Sequence, residues 1–197
     1  MELFLLRVHQ RQIEHQCHAA LIAAGQIDAG MNAGGVPGGP GNIRVRPNFE
    51  IVFGGIQNLL NAAANISKSC WGAGGKLTVE RSDLRASLEI TDTSPLANTD
   101  LRNHLEHYDE RIDRWWRESE RHNHVDYSIG PAARSIVGLE PRDIFRHFDP
   151  ETGHIIFWGE HYDLKELVAA IRDLLPRVNT EASKPHWESP KQNGGYQ

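Results

Sequence analysis

Apolar side chains recur every three or four positions through several stretches of the chain, the spacing that lines one side of an α-helix. The longest uninterrupted stretch is residues 94–120, where Leu101, Leu105, Tyr108, Ile112 and Trp115 form the stripe. Ser94 is placed to cap its start, and Pro95 fits the first helical position, where a missing N–H costs nothing. Residues 2–27 repeat the pattern through Leu5, Leu6, His9, Ile13, Cys17, Ala20, Leu21 and Ala24. A further helix is predicted over 47–71, with Phe49, Val52, Phe53, Ile56, Leu59, Leu60, Ala63, Ile66 and Cys70 inward. Gly54 and Gly55 inside it each cost roughly 1 kcal/mol of helix propensity and mark a kink or a close helix crossing. Residues 81–89 read as a short helix with Leu84 and Leu88 inward and Arg81 and Arg85 outward. Asp163 caps a last helix with Leu164, Leu167, Val168, Ile171 and Leu174 inward.

Other stretches break the helical period. Residues 29–41 (AGMNAGGVPGGPG) hold too many glycines and two prolines for a regular element and read as a flexible loop. They are no phosphate loop, lacking the Lys-Ser/Thr ending. Residues 76–80 read as extended. Over 143–159, aromatic and β-branched runs flank Asp149-Pro150-Glu151-Thr152-Gly153, which predicts a β-hairpin. From Pro176 onward the chain turns polar, and a disordered tail is expected over 181–197. The expected fold is mainly α: one domain over 1–180, a helical bundle of four to five helices with a late β-hairpin.

Composition narrows the classes. The chain has 197 residues, of which 39% are hydrophobic, enough for one core with substantial loops. A formal net charge of −5 argues against a broad electrostatic grip on nucleic acid, so any such contact has to be local. Cys17 and Cys70 have no motif around them and fit small buried side chains in a reducing compartment. The apolar run at the N-terminus is too short for a signal peptide, and no stretch reaches the length of a membrane span, so a cytoplasmic protein is expected.

Chemistry concentrates on the polar faces of 94–120. Asn103, His107, Glu110 and Arg114 form one line at helical spacing, and Arg102, Glu106, Asp109 and Asp113 form the next. Cleavage of RNA by internal attack needs a base for the 2′-hydroxyl proton, an acid for the leaving oxygen and positive charge on the phosphate. An imidazole serves as acid or base near neutrality, and a guanidinium is a forked, permanent cation matched to phosphate. Arg102 and His107 supply both groups, with Asn103 able to orient one of them. Residues five apart point about 140° from each other on an ideal helix, so two copies of the helix across a twofold axis are needed to gather them. A homodimer is therefore expected. Arg142 and His147 repeat the same spacing, but they follow Pro141 into the hairpin, where side chains alternate across a strand.

The segment Leu101-Arg102-Asn103-His104-Leu105-Glu106-His107 resembles the signature helix of the HEPN superfamily of helical-bundle proteins: Arg, a polar residue, then His after four to six intervening residues. The resemblance covers the 94–120 helix well and the four-helix layout loosely; the glycine-rich loop and the hairpin do not map onto it. It implies a metal-independent endoribonuclease acting as a dimer, without a cofactor, often the toxic or defensive component of a bacterial toxin–antitoxin or anti-phage system. Arg102, Asn103 and His107 are then the catalytic candidates, and Arg81, Arg85, Asn65 and Lys68 the candidate RNA contacts. Other members of the superfamily have lost the chemistry and bind nucleotides or partners, which leaves a non-catalytic dimerising protein as the alternative. The rival constellation is a metal site of His104, His107, His122 and His124, which the eleven histidines of the chain invite.

Overall fold

Leu6, Gln10, Ile13, Cys17 and Ala20 are buried in succession along α1 (Leu3–Met31), at the three-and-four spacing of a helix packed on one side. Leu5, expected in this stripe, is exposed, and its register is taken by Leu6. The computed structural model describes residues 1–37, 43–72, 75–98, 100–131 and 138–189; for 35–37, 43–45 and 101–102 the backbone alone is described. Seven α-helices and a small four-stranded sheet late in the chain make it mainly helical among the described residues. The chain divides into two compact units, one of residues 1–22, 59–99 and 167–197 and one of 23–58 and 100–166.

The first unit holds the greater part of α7 (Leu164–Ala182) and the C-terminal half of α2 (Phe49–Trp71), with α3 (Lys76–Glu80) and α4 (Ser82–Ser87). Leu59, Ile66, Cys70, Leu84, Leu88, Ile171, Leu174 and Val178 are buried in it. Burial pushes the thiols of both Cys17 and Cys70 up to about 12, so both stay protonated and inert. Arg7 gives Nη1 to Gln10 (2.7 Å), to the Glu181 carbonyl (2.8 Å) and to the Glu181 carboxylate (3.3 Å), and both members of the Arg7–Glu181 ion pair are buried.

Three expectations change in this unit. Residues 76–80 are the helical turn α3 and not extended chain. The last helix continues through Pro176 to Ala182, because Val178 and Ala182 beyond the proline are buried, which offsets the missing backbone donor. The tail expected to be disordered from 181 is held as far as Glu188: Arg7 donates to the carbonyls of Pro185 (3.4 Å) and Glu188 (2.5 Å), while residues 190–197 lie outside the described residues. Ser94 does cap, accepting from Leu96 N, but what it caps is a single 3-10 turn, Pro95–Ala97.

In the second unit the C-terminal end of α1 meets the N-terminal half of α2. Asn48 caps α2 by accepting from Ile51 N at 3.0 Å. Gly30 lies against Val52, and Gly55 against Ile27 and the Ala23 carbonyl, so the glycine pair marks a close crossing. Within the stretch read as a flexible loop, α1 runs on to Met31, and Gly34–Pro37 (β1) pairs antiparallel with Ile43–Arg46 (β2); residues 38–42 lie outside the described residues. The late hairpin is larger than expected. β3 (Ser128–Ile129), β4 (His147–Asp149), β5 (His154–Phe157) and β6 (Glu160–Asp163) form one sheet in that order, β3 parallel to β4 and the rest antiparallel. The β4–β5 turn is the one read from sequence, with Asp149 Oδ1 accepting from Glu151 N (2.9 Å) and Thr152 N (3.3 Å). Asp163 caps α7 as expected, accepting from Glu166 N at 2.9 Å.

Candidate functional site

The long helix expected over 94–120 is interrupted. α5 (Asp100–Glu106) and α6 (Tyr108–Glu118) are separated at His107, whose backbone leaves helical values at φ −106° and ψ 37°. A hydrogen-bond thread still crosses the break: His107 N donates to the Asn103 carbonyl (3.1 Å) and Arg111 N to the His107 carbonyl (3.1 Å). Asn103 and His107 therefore keep one side of the helix, one turn apart. The His107 ring is about half exposed, with Nδ1 3.4 Å from Glu110 Oε1. The backbone of Arg102 lies in α5; its side chain lies outside the described residues.

His104 is the contrast. Its ring stacks on Phe157, centroids 5.0 Å apart at 20°. Nδ1 accepts from Arg111 Nε at 3.1 Å, and Nε2 stands 3.6 Å from Glu160 Oε2. Glu160 in turn accepts from the Tyr162 hydroxyl at 2.5 Å, a bond that with the nearby His104 holds the carboxyl below its ordinary value. Burial and the same carboxylate push the Tyr162 phenol up.

Above this relay two guanidiniums face one indole. Arg111 and Arg114 lie 5.8 and 5.4 Å from the Trp158 ring centroid. Trp158 and Gly159 adopt left-handed backbone (φ 54° and 79°) at the two-residue turn joining β5 to β6, and Trp158 Nε1 is buried with no hydrogen-bond partner among the described residues. Counted from His107 on an ideal helix, Arg111 and Arg114 fall within about 40° of its direction, whereas Asp109, Asp113 and Trp116 fall about 120–180° away. The acidic residues of α6 thus separate from the histidine, except Glu110 beside it and Glu118, which Arg114 (2.9 Å) and Arg142 (3.2 Å) share.

The start of α6 is pinned just after His107. The Tyr108 hydroxyl donates to Asp126 (2.7 Å), and Arg146, bonded to both oxygens of Asp126, lies between the rings of Tyr108 (4.4 Å) and Tyr127 (4.1 Å). Burial works to raise Asp126, but the bonds from Arg146 and Tyr108 outweigh it and hold the carboxyl below its ordinary value.

The candidate RNA contacts in the first unit have other occupations. Arg85, expected outward, is buried, with Nη1 donating to the carbonyls of Cys70 and Thr78, both at 2.8 Å. Arg81 donates to the carbonyls of Lys68 and Ser69. The last turn of α2 leaves the Ser69 and Cys70 carbonyls to be satisfied from outside the helix, and Arg81 and Arg85 donate to them. Asn65 donates to Gln16 at 3.3 Å, a bond between α2 and α1, and Lys68 is exposed. None of the four belongs to the unit that carries Asn103 and His107.

The four histidines of the rival metal set go to different neighbours. His104 stacks on Phe157, His107 faces Glu110, His122 packs on Trp116 (4.2 Å), and His124 packs on Phe145 (4.5 Å). Among the described residues no three His, Cys, Asp or Glu side chains are gathered so as to hold a metal ion. Arg142 and His147, set aside on sequence grounds, occupy a 3-10 turn and strand β4; Arg142 pairs with Glu118 and Glu140, and His147 is buried with Nδ1 2.8 Å from Ser128 Oγ.

Sequence reading passed over Arg111, Trp158, Glu160 and Tyr162. Arg114 entered only as a member of the polar line through Asn103 and His107, and the legible signal was two arginines three apart on the same helix. No described helix is long and apolar enough to cross a membrane. Comparisons with family models, curated proteins and solved structures find no match to this chain.

Proposed function

We propose that this chain is a metal-independent endoribonuclease of the HEPN kind, built on a helical bundle of four to five helices and working as a homodimer. The observation that carries the reading is the break at His107. It leaves a solvent-open imidazole one helical turn from Asn103, on the side of the helix away from Asp109 and Asp113. In the reaction, the 2′-hydroxyl oxygen attacks the adjacent phosphorus, and the bond to the 5′-oxygen breaks. The products are a 2′,3′-cyclic phosphate and a free 5′-hydroxyl, with no water or metal consumed. His107 of one copy takes the 2′-hydroxyl proton and its symmetry mate returns a proton to the leaving oxygen. Arg102 holds the phosphate, and Asn103 positions the imidazole. A toxic or defensive role, with an antitoxin partner, accompanies this reading.

The test is cleavage of RNA in EDTA by the wild-type chain and by His107→Ala, Asn103→Ala and His147→Ala. Loss of cleavage in the first two with retention in the third supports the proposal. Equal activity in all, or none in the wild type, overturns it.

A second reading rests on Ile112 and Trp116, exposed at 37% and 62% on the far side of α6. They suit a non-catalytic protein that meets a partner through that helix, and this reading predicts partner binding that survives His107→Ala.

A further inference from the structure

We infer that Arg111 and Arg114, laid on Trp158, are the RNA-backbone contacts of the site, in place of the arginines of the first unit. This rests on the ribonuclease reading for the identity of the ligand. The two guanidiniums share one indole, at 5.8 and 5.4 Å, and follow His107 along the same side of α6. Stacking on an aromatic face fixes the plane of a guanidinium while leaving its edge for hydrogen bonds, which is how arginine recognises phosphate oxygens with a forked geometry. Trp158 is itself held: its backbone N–H donates to the Ile144 carbonyl at 2.6 Å, at a turn whose residues take left-handed conformations.

Arg111 Nε donates to His104 Nδ1, not to a carboxylate. Of the acids on this side, Glu110 lies beside His107, and Glu118 is divided between Arg114 and Arg142. Counterion release scales with the number of phosphates neutralised, so a chain of net charge −5 can hold RNA through a few local contacts of this kind. Arg111 and Arg114 lie about one and two turns beyond His107, roughly 6 and 10 Å along the axis. That distance places them against the phosphates neighbouring the one at His107. The ligand class is single-stranded RNA, whose splayed backbone can follow a helix face.

The experiment measures binding of a fluorescein-labelled oligouridine of about twelve nucleotides by anisotropy, across about 50–200 mM salt. It uses the full-length His107→Ala chain so that the RNA is not cut. Adding Arg114→Ala is expected to weaken binding roughly five- to tenfold and to lower the salt slope by about one. Arg114→Lys, which keeps the charge and loses the fork, should fall between the two, and Arg172→Ala on α7 should change neither. Thermal melts of each variant confirm that the fold is kept. Unchanged affinity and salt slope in both Arg111→Ala and Arg114→Ala overturns the inference. If the arginine variants lose RNA while the wild type never cuts it, the inference stands and the ribonuclease reading falls. If the wild type cuts RNA through His107 while these variants bind as the parent does, the inference alone falls. If the parent binds no RNA, both fall.

Discussion

Arg85 donates its Nη1 to the carbonyl of Cys70 at 2.8 Å, closing the C-terminal turn of α2 with a side chain that sequence pattern had sent to solvent. The same nitrogen reaches the Thr78 carbonyl, and Nε lies 3.2 Å from Asp92. Replacing Arg85 with Met keeps the aliphatic stem and removes every one of these donors. Two carbonyls in a largely dry setting are then left unpaired, a loss of about 2–3 kcal/mol. Chemical denaturation should show that loss, while the RNA cleavage proposed for His107, measured well below the melting point, should stay at the wild-type level. A change in cleavage without a change in stability would return Arg85 to the RNA contacts.

The adjacent glycines of α2 should respond in opposite directions. A Cβ on Gly55 would stand 2.9 Å from Ile27 Cγ1, 3.0 Å from Ile27 N and 3.1 Å from the Ala23 carbonyl, so α1 has to move. Gly55→Ala is expected to cost about 1–3 kcal/mol through overpacking. A Cβ on Gly54 meets nothing within 4 Å, and Gly54→Ala should stabilise by up to about 1 kcal/mol through helix propensity alone. Thermal melts of the two variants decide it, and equal effects would mean that the crossing is looser than described.

His147 gives the fold a dependence on pH. The ring is buried, Nδ1 faces Ser128 Oγ at 2.8 Å, and Nε2 has no hydrogen-bond partner among the described residues. Burial lowers its pKa below the ordinary 6.5; Asp149 and the Gly130 carbonyl oppose this, and His161 adds to it. Because the folded state disfavours the charged ring, the unfolded chain binds the proton first. Stability is therefore complete above the unfolded value of 6.5 and declines as pH falls through it toward the folded value. Melting temperature should drop between about pH 7 and 5, and His147→Gln should flatten that part of the curve. A curve of the same slope in His147→Gln would assign the dependence to other groups.

What the sequence disclosed and what it hid divide along physical lines. The stripes of α1, α2 and α7 were legible because helical burial leaves a period, and the Asp149–Gly153 turn and the Asp163 cap because those side chains bond their own backbone. β6 was missed because Trp158-Gly159 lacks the Asn-Gly or Asp-Gly signature of a two-residue turn, although it adopts the left-handed conformations such a turn needs. The pairing of β1 with β2 was hidden by glycine, which carries no strand pattern. The run of α7 past Pro176 and the inward turn of Arg85 depend on tertiary partners, Val178 with its buried surroundings in one case and orphan carbonyls in the other. The break at His107 has neither Gly nor Pro to announce it. His104, just before it, is packed on Phe157, and His107, at it, faces Glu110.

Those two histidines make the sharpest test of the site. His104 is packed: its ring stacks on Phe157, accepts from Arg111 and lies beside Glu160, with only 16% of the side chain exposed. His107, three residues on, pairs with Glu110 in an exposed i to i+3 arrangement among the described residues. His104→Ala should therefore cost about 2–3 kcal/mol from the lost ring contact and the stranded Arg111 donor. His107→Ala should shift stability by less than about 0.5 kcal/mol, since exposed ion pairs contribute little. Activity should rank them the other way. On the proposed ribonuclease reading, loss of the His107 imidazole should lower the rate of RNA cleavage about 100-fold or more, whereas His104→Ala should lose activity only in proportion to the folded fraction. Denaturation curves and initial rates on the same two preparations settle the matter, and a His104→Ala chain that is stable but inactive would move the chemistry one helical turn back.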